Sequence, residues 1–276
     1  MSARAIPSCR HIAAAIALTG LAGATWAETP QDHWWGELEY YYPTVSSKAR
    51  LNFPGTNLPG TEVSLEDDLG LTDRKGTPYI LLGTRLGQNW RVEFEYYELQ
   101  RSGDRTINRD IHWGDIDFPA SADIHSIFNT NVYRLVGGYS FYRTPMYEFG
   151  GTFGLHTTEF KLGLSGQGNG PQGLGFQTET KNVLVPLPTI GLYGVYKFND
   201  QWMVRGRFDF LSLTVDQYNG QLVNSMVAGD WRFTPNWGAG IGYRYVSYNL
   251  KSSKEKFDGE VKYDFKGPTI YGEFGF

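Results

Sequence analysis

The chain has 276 residues and a net charge of −4, so its electrostatics give no case for a nucleic-acid partner. A single cysteine, Cys9, excludes a disulfide-stapled scaffold. Aromatic residues make up 16 % and glycines number 34, yet mean hydropathy is only −0.38, and no later run reaches the roughly 18–20 apolar residues of a membrane helix.

In chain order, the first feature is a basic start at Arg4 and Arg10, followed by an apolar run from Ile12 to Ala24 and then Thr25-Trp26-Ala27. This resembles a secretory signal peptide, with cleavage expected after Ala27 and Ala24 as the second choice; an uncleaved anchor is the bland alternative. Residues 28–276 are then one domain. They lack cysteine, which suits a bacterial envelope.

From there the hydrophobic period is two. Segment 237–248 places Trp237, Ala239, Ile241, Tyr243 and Tyr245 on one parity, against Gly238, Gly240, Gly242, Arg244 and Val246. Segments 190–198 and 221–233 repeat the pattern, which predicts strands. About ten are expected, over 34–43, 77–86, 90–101, 127–142, 147–161, 189–198, 202–215, 221–233, 237–250 and 260–276, with eight or twelve as alternatives. "LGQNW", "FNDQW" and "TPNW" set turn formers directly before a strand-opening Trp, and "YRTPMY" sets them before Tyr147. The opposite connections, 44–76, 102–126 and 162–186, are long and rich in turn-forming residues, although 102–126 has room for a hairpin of its own. Asn-Gly in "QYNG" (217–220) predicts the tightest outer loop.

Tight turns at one end, long loops at the other and aromatics at the turn end predict an all-β, antiparallel, up-and-down transmembrane barrel. Trp34, Trp90, Tyr147, Trp202 and Trp237 would form its periplasmic belt. The last strand alternates Ile270, Phe274 and Phe276 and stops on Phe276. It resembles the assembly signal of outer-membrane barrels, and the mature chain resembles the small OmpA/OmpW-type barrels. That resemblance implies an outer-membrane location, lipid and lipopolysaccharide as surroundings, the barrel-assembly machinery as a partner, a monomer, and passage of small or apolar solutes. Val261, Tyr263 and Phe265 have the opposite parity to Ile270, with Gly267-Pro268 between them, so a bulge is expected at 267–268.

If the aromatic parity faces lipid, the other faces the lumen. The inward charges are Glu37, Glu39, Arg85, Arg91, Glu93, Glu95, Arg134, Glu148, Lys197, Arg205, Arg207, Asp209, Asp230, Arg232, Arg244 and Glu273, eight acids and eight bases, with His156 among them. A selective pore would show an excess of one sign. An even balance in a barrel narrow enough for side chains to fill predicts a plug of paired charges, with a narrow conduit as the alternative.

Three groups of residues offer candidate chemistry. Asp115-Ile116-Asp117 and Asp123-Ile124-His125 resemble the Asp-x-Asp and Asp-x-His pairs of the omptin proteases. In that family the pairs stand on opposite walls, whereas here both lie in one loop, so a solvated acidic loop is expected. Ser140, Glu148 and His156 are the residue types of a hydrolytic triad, but alternation alone does not bring them together. No His-x-Ser of the lipid A deacylase kind stands near the C-terminus. "EDDLGLTD" (66–73) offers carboxylates for Ca²⁺ or Mg²⁺ without EF-hand spacing. "GLSGQGNGPQGLGF" (163–176) has neither a P-loop Lys nor a flanking helix and is expected to be a flexible surface loop. The expectation is therefore no catalytic site, no metal and no cofactor, with surface binding through the long loops as a second class of function.

Overall fold

The computed structural model describes residues 30–52, 60–170, 173–215, 218–254 and 257–276; the expected signal peptide, 1–27, lies outside them. The strands are β1 (Trp34–Tyr41), β2 (Thr44–Leu51), β3 (Val63–Ser64), β4 (Thr77–Leu86), β5 (Trp90–Thr106), β6 (Ile111–Trp113), β7 (Ile116–Phe118), β8 (Asp123–Arg143), β9 (Tyr147–Gly170), β10 (Gly173–Lys197), β11 (Trp202–Val215), β12 (Tyr218–Arg232), β13 (Trp237–Lys254) and β14 (Phe257–Gly275). They form one large antiparallel sheet in the order β1-β4-β5-β8-β9-β10-β11-β12-β13-β14-β2-β3, and β1 pairs with β14 as well as with β4.

Alternation decides which face each side chain takes. On β12, Leu222, Asn224, Ala228 and Asp230 are buried while Val227 and Trp231 are exposed. Around the sheet Leu38, Leu82, Phe94, Phe153, Leu192, Phe208, Ile241 and Ile270 make an exposed apolar band, the surface a lipid-facing wall requires. Trp34, Trp90, Tyr147, Trp202 and Trp237 are all exposed at its turn end. The turns there carry their own chemistry. Gly87 adopts φ 65°, Asn199 Oδ1 accepts from the amides of Gln201 (2.8 Å) and Trp202 (2.9 Å), and Thr234 Oγ1 accepts from the Trp237 amide at 2.9 Å.

At the other end the structure corrects the sequence reading. The regions read as long loops are largely strand. β2 continues the line of β1, β5 and β8 run on past the band with the small hairpin β6–β7 between them, and β9 and β10 pair from Tyr147↔Tyr196 to Gly170↔Gly173. The 25 residues of β10 are roughly 80 Å of extended chain, against about 30 Å of bilayer hydrocarbon. "GLSGQGNG" is therefore part of a ladder, because small residues with free amides pair as well as any once a partner strand lies alongside. Asn219-Gly220 also lies inside a ladder, opposite Leu213 and Thr214, and the ladder continues to Val215↔Tyr218, with Gln217 of the expected turn outside the described residues.

The bulge expected at 267–268 is absent, since the β13–β14 register runs unbroken through Tyr243↔Pro268 and Arg244↔Gly267. The interruption falls on the neighbouring strand: β1 and β2 are separated at Tyr42-Pro43, where the Tyr42 amide donates to Pro268 O at 3.0 Å. Pro268 has no amide to return, so the ladder opens on that side alone. A register shift does occur between Ser140 and Tyr142, which leaves Phe141 and Tyr142 both exposed.

Candidate functional site

The interior has two storeys. The lower one, level with the apolar band, is polar. Glu37, Glu39, Arg85, Arg91, Glu93, Glu95, Arg134, Glu148, His156, Lys197, Arg205, Asp209, Asp230, Arg232, Arg244 and Glu273 are all buried, and the Arg207 side chain is 11 % exposed. Their bonds cross the lumen. Arg134 on β8 donates to Glu95 on β5 at 2.7 Å and also to Asp209 on β11. Arg207 on β11 reaches Glu93 and Glu95, each at 2.8 Å, and its own strand's Asp209 at 3.1 Å. Arg85 on β4 makes a two-pronged contact with Glu148 on β9 at 2.9 and 3.0 Å, the geometry that suits a guanidinium fork. Arg205 on β11 bonds Glu37 on β1 and stands 3.4 Å from Asp230 on β12. Arg244 meets Glu39 at 3.4 Å, and Arg232 stands 3.6 Å from Glu273.

Neutral groups hold this network in place. Thr152 Oγ1 donates to Asp209 at 2.9 Å, Thr269 Oγ1 to Glu39 at 2.8 Å and Tyr271 OH to Asp230 at 2.5 Å. Rings take the outer faces of the guanidiniums: Arg91 lies 4.7 Å from both the Trp35 and Tyr193 centroids, and Arg244 lies 4.4 Å from that of Tyr79. Inward glycines make the room. A Cβ on Gly83 would sit 2.0 Å from the Trp35 ring, and one on Gly240 would sit 2.3 Å from the Tyr271 ring. Among the members that sequence reasoning missed, Asp32 stands 3.6 Å from Arg232, and Trp35 and Tyr271 are also buried. Trp35 and Tyr271 share the parity of Glu37 and Glu273, a signal overridden by the assumption that aromatics face lipid.

The upper storey overturns that assumption. Tyr41, Tyr79, Tyr97, Phe128, Phe160, Tyr248, Tyr263 and Phe265 are buried inside. Phe128 lies 5.9 Å from Phe160 and 4.9 Å from Tyr263, centroid to centroid. The opposite parity of Val261, Tyr263 and Phe265 thus needs no bulge, because these side chains point into the lumen. The Arg101 guanidinium caps Phe128 and Tyr263, 5.4 Å from the Phe128 centroid and 5.5 Å from that of Tyr263, and binds Ser47 Oγ at 2.9 Å and Glu66. Above it the 60–76 segment folds inward on Val63, Leu65 and Leu69, and Ser126 Oγ donates to Leu69 O at 3.1 Å. Among the described residues, ion pairs below and rings with a folded cap above occupy much of the interior.

The candidate chemistries separate in space. His125 Nδ1 lies 2.8 Å from Asp104 Oδ1, both exposed, on neighbouring strands of one wall. Asp117 contacts His112 across the β6–β7 hairpin. Ser140 Oγ donates to Glu148 at 2.5 Å, whereas His156 Nε2 bonds Tyr248 OH at 2.7 Å, higher up the lumen. The structure therefore does not bring the three triad residue types together. In "EDDLGLTD", Glu66 is held by Arg101 and Ser47, and Asp68 by Arg109 at 2.7 Å and the Ser64 amide at 2.9 Å. Among the described residues no group of three or more His, Cys, Asp or Glu is placed to hold a metal ion.

No family model matches the chain, and no curated protein does. Solved structures do. The outer-membrane protease OmpT of Escherichia coli is similar at a TM-score of 0.60 and 12 % identity, over 90 % of this chain and 98 % of that one. The Pseudomonas putida toluene transporter TodX aligns at a TM-score of 0.37 and 9 % identity, over 89 % and 90 %. Ail, the attachment invasion locus protein of Yersinia pestis, aligns at 0.33 and 9 %, over 87 % and 99 %. The likeness to OmpT is one of fold: the chain has the antiparallel architecture of an outer-membrane β-barrel protein.

Proposed function

We propose that the chain is a non-enzymatic outer-membrane protein whose strands close, through the β1–β14 pairing, into a ten-stranded transmembrane barrel that conducts no ions along its axis and handles small apolar solutes. The observation that carries this reading is the set of ion pairs that cross the lumen, Arg134 to Glu95 and Asp209, Arg207 to Glu93 and Glu95, and Arg85 to Glu148. Such pairs bind the walls to each other and fill the space an aqueous path would need. The exposed apolar band with its belt of Trp and Tyr supports a lipid setting, with lipopolysaccharide outside and the barrel-assembly machinery as the route of insertion.

Planar-bilayer recording of the purified chain tests the proposal. Quiet membranes are expected from the wild type, and current steps from an Arg134→Ala/Arg207→Ala double variant. Steady steps from the wild type would overturn it.

A surface-binding reading has one observation of its own. Leu174 and Phe176 are 88 % and 66 % exposed near the tip of the β9–β10 hairpin, beyond the apolar band. Cell adhesion that vanishes when residues 166–176 are deleted would favour it. A protease reading would gain support from peptide cleavage lost in Asp123→Asn and His125→Gln.

A further inference from the structure

The ladder between β10 and β11 stops at Ile190↔Phe210. Both strands continue beyond it, yet among the described residues β10 then pairs only with β9, and β11 only with β12. The wall therefore has a seam just where the lipid-facing band ends. Two prolines keep it open. The Lys197 amide donates to Met146 O, on the β9 side, and the β9–β10 register is continuous. Amides alternate sides along a strand, so odd-numbered residues of β10 address β9 and even-numbered ones address β11. Pro186 and Pro188 are even-numbered, and they remove donors from the edge that faces β11.

Behind the seam lies a cavity of about 300 Å³. Phe160, Val183, Val185, Leu187 and Leu250 line it from within, and the outward-facing Leu184 and Pro186 line it as well, so it reaches the outer surface at the free edge of β10. Directly below, on the lipid-facing side, Phe153, Leu155, Pro188, Ile190 and Phe210 border a second apolar hollow. Two lysines also border it, Lys181 from the inward face of β10 and Lys251 from the outward face of β13. Each has a carboxylate partner, Glu179 at 2.8 Å and Glu260 at 3.3 Å, so the opening carries both signs.

We infer that this cavity binds a single hydrocarbon chain, which enters through the β10–β11 seam from the lipid-facing surface and leaves its polar head outside. The inference rests on the barrel reading above and names the apolar ligand and its site. An apolar cavity of about half this volume holds benzene, so this one suits a medium-length alkyl chain. The balanced charge at the opening means that the chain, rather than the head, is selected. Affinity for straight-chain carboxylates should rise about fourfold per added methylene until the cavity is full.

Photo-crosslinking of the full chain in bilayer nanodiscs tests this, with mass-spectrometric mapping of the labelled residues. One arm uses a diazirine-bearing decanoate; the other uses a phosphatidylcholine with the diazirine on an acyl chain. Saturable labelling of 181–187 and 250–252, competed by decanoate better than by hexanoate, is expected. Labelling by the first probe identifies a free amphiphile, and labelling by the second identifies a membrane lipid; either supports the site. Val185→Trp should cut that labelling about tenfold while phospholipid labelling around Phe208 and Ile241 persists. Should that variant fold poorly, Gly220→Val serves, because a Cβ there sits 3.2 Å from Leu187 Cδ2. Cavity labelling that neither probe produces, or that both fillers leave unchanged, overturns the site. Loss of the labelling around Phe208 would instead overturn the lipid-embedded barrel.

Discussion

The two storeys of the interior solve one problem with opposite chemistry. Below, within the apolar band, the walls are joined by ion pairs that fix which strand faces which; Arg134 bonds Glu95 on one side and Asp209 on the other. Above, Phe128, Phe160, Tyr263 and Phe265 pack as an ordinary globular core. The difference follows from what surrounds each level. Level with the exposed apolar band the outside of the wall is already apolar, so a polar inside separates the two faces and leaves one viable register. Beyond the band the outer face is more polar, and the strands add to their ladders by burying apolar surface within. Interaction type should therefore govern how each storey fails.

The largest effect is expected below. Arg134→Leu removes one of the two guanidiniums shared by the buried Glu95 and Asp209 and leaves them to Arg207, at a cost of about 3 kcal/mol or more, read from urea unfolding in lipid vesicles. Replacing Glu95, Asp209 and Arg207 by Leu in the same chain, which leaves Glu93 paired with Arg91, should recover most of that loss, because an apolar core of similar volume is no worse than a buried ion set. If it does not, the charges do more than satisfy each other. Arg207→Leu should follow the same course with a smaller loss, its side chain being less fully enclosed. In the upper storey, Phe128→Ala removes a ring stacked on Phe160 and beneath Arg101 and should cost about 3–4 kcal/mol, with no second change able to restore it by charge. Phe208→Leu on the lipid face should cost under about 1 kcal/mol, as one apolar group replaces another against hydrocarbon.

The smallest effect is one of pH, at the outer end of β14. Burial pushes the Glu260 carboxyl up, but hydrogen bonds from Lys262 and Lys251 outweigh it and hold the group below the usual carboxylate range. A depressed folded-state pKa means stability that is present above the unfolded value and lost as pH falls through the folded one. The urea midpoint difference between wild type and Glu260→Gln should thus be full at neutral pH, start to shrink near the ordinary glutamate value of about 4.3 and vanish only at a pH below the depressed folded-state value. A difference that persisted there would show that Glu260 acts through packing rather than charge.

Much of the lower storey was legible because alternation and charge point the same way there. Arg205, Arg207 and Asp209 interrupt an aromatic stretch at every second residue, and no lipid-facing strand tolerates that. The upper storey was not legible, because alternation says only that residues share a face. Tyr263 and Phe265 read as lipid-facing until the neighbouring strands show that their face is the lumen. The same gap hid the β9–β10 extension: glycine and serine look like loop until a partner strand satisfies their amides.

The sequence by itself determined the strands within the band, their tight aromatic-flanked turns and the balance of inward charge, since each is a local property of period, turn chemistry and composition. Only the tertiary structure decided which acid meets which base across the lumen, that the upper interior is aromatic, and that the wall parts between Ile190 and Phe210. Those depend on contacts between strands distant in the chain, and a period of two carries no information about what stands opposite.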